Sequence, residues 1–239
     1  MRIKLDITFS ALSVFFGCSA KTVSNIFFTL IPILASILSS VIEWVSKDEV
    51  MANLPKCFAD FSNVRAVLDC TEIVIQKPKC LTERIVTYSQ YYGDHTIKYL
   101  MCISPGGLIT FVSKGYGGRA SDKLIFVNSH IIDMLEPHID AIMTDKGFLI
   151  EDLCAENFIQ LIRPPFLHKK TQFSAAEATL CRKIASARVH VERAFQKMKI
   201  FAILKSTVPY SLLPLLDNIM LIAAALTNIS KPILSENKY

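Results

Sequence analysis

Apolar and β-branched residues gather in short runs across the middle of the chain. Val64 to Leu68 and Ile73 to Gln76 predict two strands, and Thr96 to Ile103 and Leu108 to Ser113 predict two more around a Pro105-Gly106-Gly107 turn. That stretch reads as an antiparallel meander. The pattern then alternates: a helix near Ala120 to Leu135, a strand at Ile139 to Thr144, a short helix near Leu149 to Glu156, and a strand at Phe158 to Ile162 closed by Pro164-Pro165. Helical spacing over about Ala175 to Lys199 and Tyr210 to Ile229 ends the chain. Strands first and then strand-helix alternation predict an α/β fold, a mixed sheet flanked by helices.

Ahead of the strands, Ser10 to Phe16 and Ala20 to about Thr29 predict two helices around Gly17-Cys18-Ser19, with Gly17 suited to a helix end and Ser19 to a helix start. Packing of Leu12, Phe15 and Phe16 on Val23, Ile26 and Phe27 would give a helix-turn-helix, or equally an ordinary helical hairpin. On the second helix, Lys21 and Asn25 are candidate DNA contacts. Residues 1–54 are thus expected to form a truncated helix-turn-helix and a linking helix, and residues 64–233 the catalytic domain.

Two apolar runs raise a membrane reading. Ile26 to Val45 is long enough to cross a bilayer, but Pro32, Glu43 and several hydroxyl side chains interrupt it. Leu212 to Ile229 carries Asp217 and Asn218 and predicts a buried helix. The expectation is no membrane partner, with a membrane-associated protein as a rival.

With 239 residues and half of them hydrophobic, the chain can build one well-packed domain with a small appendage. A net charge of +5 suits a polyanionic partner without demanding one. Seven cysteines, an odd number without a CxxC pair, argue against a disulfide framework and a structural zinc site, so the chain reads as intracellular and reduced. The five histidines show no ligand spacing.

Three acids stand out by position. Asp69 follows Val64 to Leu68 and is expected at a strand end; Asp145 leaves the Ile139 to Thr144 strand in an Asp145-Lys146-Gly147 turn. Glu192 borders the apolar stripe Leu180, Ile184, Ala187, Val191, Ala194 and Met198 of the long helix. Carboxylates brought together repel, and a divalent ion is the usual resolution. Each also has a plainer reading, Asp145 as a turn former and Glu192 as a surface partner of Arg188 four residues before it.

The strings Leu68-Asp69-Cys70-Thr71-Glu72, Tyr116-Gly117-Gly118-Arg119-Ala120-Ser121-Asp122, Thr144-Asp145-Lys146-Gly147-Phe148 and Arg188-Val189-His190-Val191-Glu192-Arg193-Ala194-Phe195 resemble the DDE superfamily endonuclease domain of Harbinger-like transposases, over about Val64 to Ile233. The resemblance implies an RNase H-like core in which Asp69, Asp145 and Glu192 are catalytic and bind one or two Mg²⁺ or Mn²⁺ ions, with Asp122 as an accessory. It implies DNA cleavage, with or without strand transfer, in the nucleus, with a separate DNA-binding subunit and self-association as possible partners. Candidate phosphate contacts are Arg119, Lys123, Arg182, Arg188, Arg193 and Lys197. The alternative is a domesticated, non-cleaving DNA-binding or protein-interaction module on the same fold.

Overall fold

The computed structural model describes residues 1–167 and 172–231, apart from the side chains of His190 and Val191. The expected place of Val191 in the helix stripe and the domain end at 233 lie outside the described residues. At the centre runs β1 (Val64–Val74), a single strand of 11 residues where the hydrophobic pattern predicts two. The polar Asp69-Cys70-Thr71-Glu72 stretch stays extended because each of its residues is paired with β3 (Asp94–Ile103), from Val67 opposite Ile103 to Val74 opposite Thr96. Backbone pairing does not require apolar side chains, and here Glu72 faces Lys98 across the ladder at 3.4 Å.

The far edge of β3 is covered in turn by β2 (Tyr88–Ser89), β5 (Tyr116–Gly117) and β4 (Ile109–Val112), all antiparallel to it. On the other side of β1 lie β6 (Ala141–Met143) and β7 (Gln160–Ile162), both parallel. The order β2-β3-β1-β6-β7 makes a mixed, RNase H-like sheet.

Side chains alternate between faces along a strand, so each face has its own core. Val67, Ile73, Tyr99, Met101 and Met143 pack against α8 (Ala175–Met198) and α9 (Leu216–Ile229). Ala66, Leu68, Leu100 and Ile142 pack against α6 (Asp122–Asn128) and α7 (Glu151–Glu156). Within α8, Ile184, Ala187, Ala194 and Met198 are buried as expected, but Leu180, a full turn earlier, is exposed. The predicted last helix opens with a 3₁₀ segment, Tyr210–Leu215, and α9 is then buried nearly all round. Its Asp217 accepts hydrogen bonds from the buried Tyr99 hydroxyl at 2.7 Å and from Gly115 N at 3.1 Å.

The N-terminal helices are α1 (Arg2–Leu5), α2 (Phe9–Phe16) and α3 (Ala20–Leu38), followed before β1 by the short α4 (Lys47–Ala52), while α5 (Leu81–Thr87) leads into β2. Gly17 ends α2 at φ 60°, a left-handed conformation that costs glycine little, and the Ser19 hydroxyl caps α3 by accepting from Thr22 N. Beyond Thr29, α3 continues through Pro32 because Ile31 and Ala35 are buried in the core shared with α9. That orientation corrects the expected hairpin packing. Leu12 is buried, whereas Phe15 at 68 %, Phe16 and Ile26 face outward. Ala20–Val41 and Tyr210–Ile229 are both long and apolar enough to cross a membrane, although more than half of the latter is buried inside the protein.

Candidate functional site

The site arises from a mismatch of strand lengths. Pairing between β1 and β6 stops at Val67 opposite Met143, while β1 runs on for seven residues. Its next partner on that edge is Val208, opposite Ile75. Between those points β1 has an open edge, and over it lies a cleft of about 620 Å³. Asp69 and Asp145 each stand two residues beyond the last rung, so they leave adjacent parallel strands in matching register. Both line the cleft, and α8 supplies Arg188, Glu192, Phe195 and Gln196 to its wall, with Lys199 just past the helix end. Asp69 therefore does not end a strand; it sits within β1, where the strand outruns its neighbour.

Each acid is held differently. Asp145 Oδ1 accepts from Gly147 N at 2.9 Å and Phe148 N at 3.2 Å, so the turn that the sequence predicts also fixes the carboxylate. Asp69 Oδ1 accepts from Cys70 N at 2.9 Å, and Oδ2 stands 3.6 Å from Arg188 Nη2. Burial pushes the Asp69 carboxyl up to about 6; Arg188 opposes this, and the charge of Asp145 adds to it. Arg188 thus turns to Asp69 and not to Glu192, which is exposed in the cleft wall.

Asp122 begins α6, whose N-cap Ser121 accepts from Leu124 N. Its carboxylate lies 3.3 Å from Lys98 Nζ, which also reaches Glu72 at 3.4 Å and donates to Ala120 O at 3.1 Å. Burial disfavours the Lys98 ammonium, but Asp122 and Glu72 outweigh it and hold its pKa above the usual range. The Cys70 thiol is pushed far up by burial and then by the neighbouring Asp122 charge, so it stays protonated and inert.

Of the expected phosphate contacts, Arg188 lines the cleft. Arg119 is exposed in a groove next to it, and Lys123, Arg182 and Arg193 are exposed elsewhere. Lys21 and Asn25 are exposed on α3. Lys197 is committed to the end of α9, donating to Thr227 O at 3.3 Å and to Lys231 O, which satisfies carbonyls left over at a helix terminus. Lys98, Glu72, Tyr91 and Tyr92 also line the cleft, and sequence reasoning missed them. Nothing local marks Lys98, because its role depends on the β1–β3 register.

The donor chemistry suits a hard divalent cation: carboxylate oxygens gathered in a partly desolvated cleft, where burial chiefly, and the Asp145 charge to a lesser degree, raise the Asp69 pKa. Among the described residues, however, no three ligating side chains stand close enough to form a ready cage. Asp69, Asp145 and Glu192 line one cleft, and among the described residues they do not form a preformed ligand set.

Residues 68–228 match the family described as DDE superfamily endonuclease. No curated protein matches the chain. The family carries nuclease activity with DNA as its substrate and generally uses divalent metal ions. The match spans Asp69, Asp145, the helix with Glu192 and most of the sheet, and the chain belongs to the DDE superfamily endonuclease family.

Proposed function

We propose that the cleft cuts phosphodiester bonds in DNA, with Asp69, Asp145 and Glu192 as the metal-binding catalytic acids. The observation that carries this reading is the register: two aspartates two residues past the Val67–Met143 rung, beneath a helix whose glutamate lines the same cleft. Asp69 and Asp145 would hold Mg²⁺ or Mn²⁺, one ion or two, and Glu192 would complete the set from α8. The chemistry a bound divalent ion supplies is activation of the attacking water or 3′-hydroxyl and neutralisation of charge on the leaving oxygen.

The protein's own residues place the substrate. Gly147 and Phe148 amides orient Asp145, and Arg188 offsets the Asp69 charge until a cation arrives. Lys98 keeps Asp122 and Glu72 in a closed ion-paired group, which suits Asp122 to an accessory role beside the site. Lys123, Arg182 and Arg193 would follow the DNA backbone, and Lys21 and Asn25 would touch DNA from α3. Joining of the cut strand to a new target, a nuclear location, a partner DNA-binding subunit and self-association belong to the same proposal.

A second reading, a non-cleaving DNA-binding module, draws on one observation: a guanidinium already accompanies Asp69 where a metal ligand should be free. Nicking of supercoiled plasmid with Mg²⁺ or Mn²⁺ separates the two. Asparagine at 145 can still accept the Gly147 and Phe148 amides, so Asp145→Asn should fold and lose nicking by on the order of a hundredfold or more. A folded wild type without metal-dependent nicking would support the module.

A further inference from the structure

The acid cleft does not end at Tyr91. It shares Glu72, Tyr91 and Lys98 with a neighbouring concavity of about 360 Å³, which in turn shares Tyr88, Gln90 and Arg119 with a third of about 450 Å³. The result is one run of concave surface leading from the carboxylates, past β2 and the turn after it, to an outer end walled by Lys77, Arg84 and Arg119. Among the described residues no acid lines that outer end.

Exposed aromatic rings stand along this path. Tyr91 is 89 % exposed and makes a T-shaped pair with Tyr92 at 5.3 Å between ring centres; Tyr88 is also exposed and makes one with His95 at 5.7 Å. Arg119 is held at the wall by its backbone N–H to Val86 O at 3.2 Å, and Arg84 is steadied by its Nε donating to Pro78 O at 2.7 Å. Gly117 and Gly118 allow this approach, since a Cβ on Gly117 would strike Val86 O and one on Gly118 would strike Thr96 Oγ1.

We propose that this groove receives an unpaired stretch of the DNA strand passing through the acid cleft, with bases stacked on Tyr91 and Tyr88 and phosphates held by Arg119, Lys77 and Arg84. Cations alone would serve a duplex backbone equally well. Exposed rings interleaved with cations suit nucleotides whose base faces are free, and paired bases hide those faces. The proposal rests on the cleavage reading of the cleft and adds the form of the substrate.

Binding can be read without cleavage, by fluorescence anisotropy in EDTA, using a labelled duplex with a short single-stranded overhang of either polarity and a blunt duplex of the same sequence. The overhang duplex should bind more tightly than the blunt one. Tyr91→Ala and Arg119→Ala should each remove about tenfold of affinity for the overhang and little for the blunt duplex, and Tyr91→Phe should retain it. Equal binding of the two duplexes, or full overhang affinity in both alanine variants, overturns the groove. Metal-dependent nicking with no overhang preference would sink the groove alone, whereas overhang preference without nicking would sink only the cleavage reading.

Discussion

Asp69 and Asp145 each lie two residues past the final rung between β1 and β6, so one short strand beside one long strand delivers two carboxylates to a single cleft. Asp69 sits within β1, whereas Asp145 stands in the turn that leaves β6 and is held there by the Gly147 and Phe148 amides. The sheet register brings the two positions side by side, and the cost of that placement is a desolvated charge at Asp69.

That cost has a sign. The folded pKa of Asp69, about 6, lies above its ordinary value of 3.8, so the group favours the folded state only while protonated. Its contribution is present in acid and is lost as pH rises from about 4 to about 6. Asp69→Asn should therefore raise the melting temperature of the metal-free protein at pH 8, by at most about 3 kcal/mol of stability, with the gain vanishing near pH 4. Thermal melts across that range test it, and a variant less stable than wild type at pH 8 would show that Arg188 more than offsets burial.

Lys98 is the cation that Glu72 and Asp122 share. Lys98→Met leaves two acids facing each other with the Glu72 side chain nearly buried, and should cost about 3 kcal/mol at pH 8. Lys98→Arg, which keeps the positive charge, should lose less than Lys98→Met. Urea titrations of the two variants at pH 8 check this, and equal losses would mean that packing, not charge, dominates at Lys98.

Gly118 has no space for a side chain between β5 and β3, where a Cβ would meet the Thr96 hydroxyl and the Thr87 carbonyl. Gly118→Ala should cost about 1 to 3 kcal/mol in chemical denaturation. Gly106→Ala is the control: its nearest neighbour, Asn53 O, would stand 3.3 Å from the new Cβ, so a shift of a few tenths of an ångström accommodates it. Similar losses at both positions would remove the close approach as the cause.

Much of this was legible in the residues, and the failures share a cause. Gly17 and Ser19 mark the turn between α2 and α3, and Asp145-Lys146-Gly147 marks its own turn, because the physics there is local. The apolar pattern divides β1 in two because polar Asp69 to Glu72 interrupt its run; the β3 ladder keeps it whole. Lys98 lies 26 residues from Glu72 along the chain and directly opposite it in the sheet, a relation no spacing rule reveals. Phe15, Phe16 and Ile26 face solvent because α3 gives its inner face to the core shared with α9, and Lys197 turns to carbonyls at the end of α9. Both outcomes depend on tertiary contacts absent from any single helix.

Convergence of the three acids on a divalent ion can be measured without DNA. Titration of the full chain with Mn²⁺, followed by the loss of free-ion signal in electron paramagnetic resonance, should show saturable binding. Asp69→Asn, Asp145→Asn and Glu192→Gln should each weaken that binding by about tenfold or more, since each removes a ligand oxygen charge. Saturable Mn²⁺ binding unchanged in all three variants, or none in the folded wild type, would contradict the assignment of the cleft as a metal-dependent nuclease site.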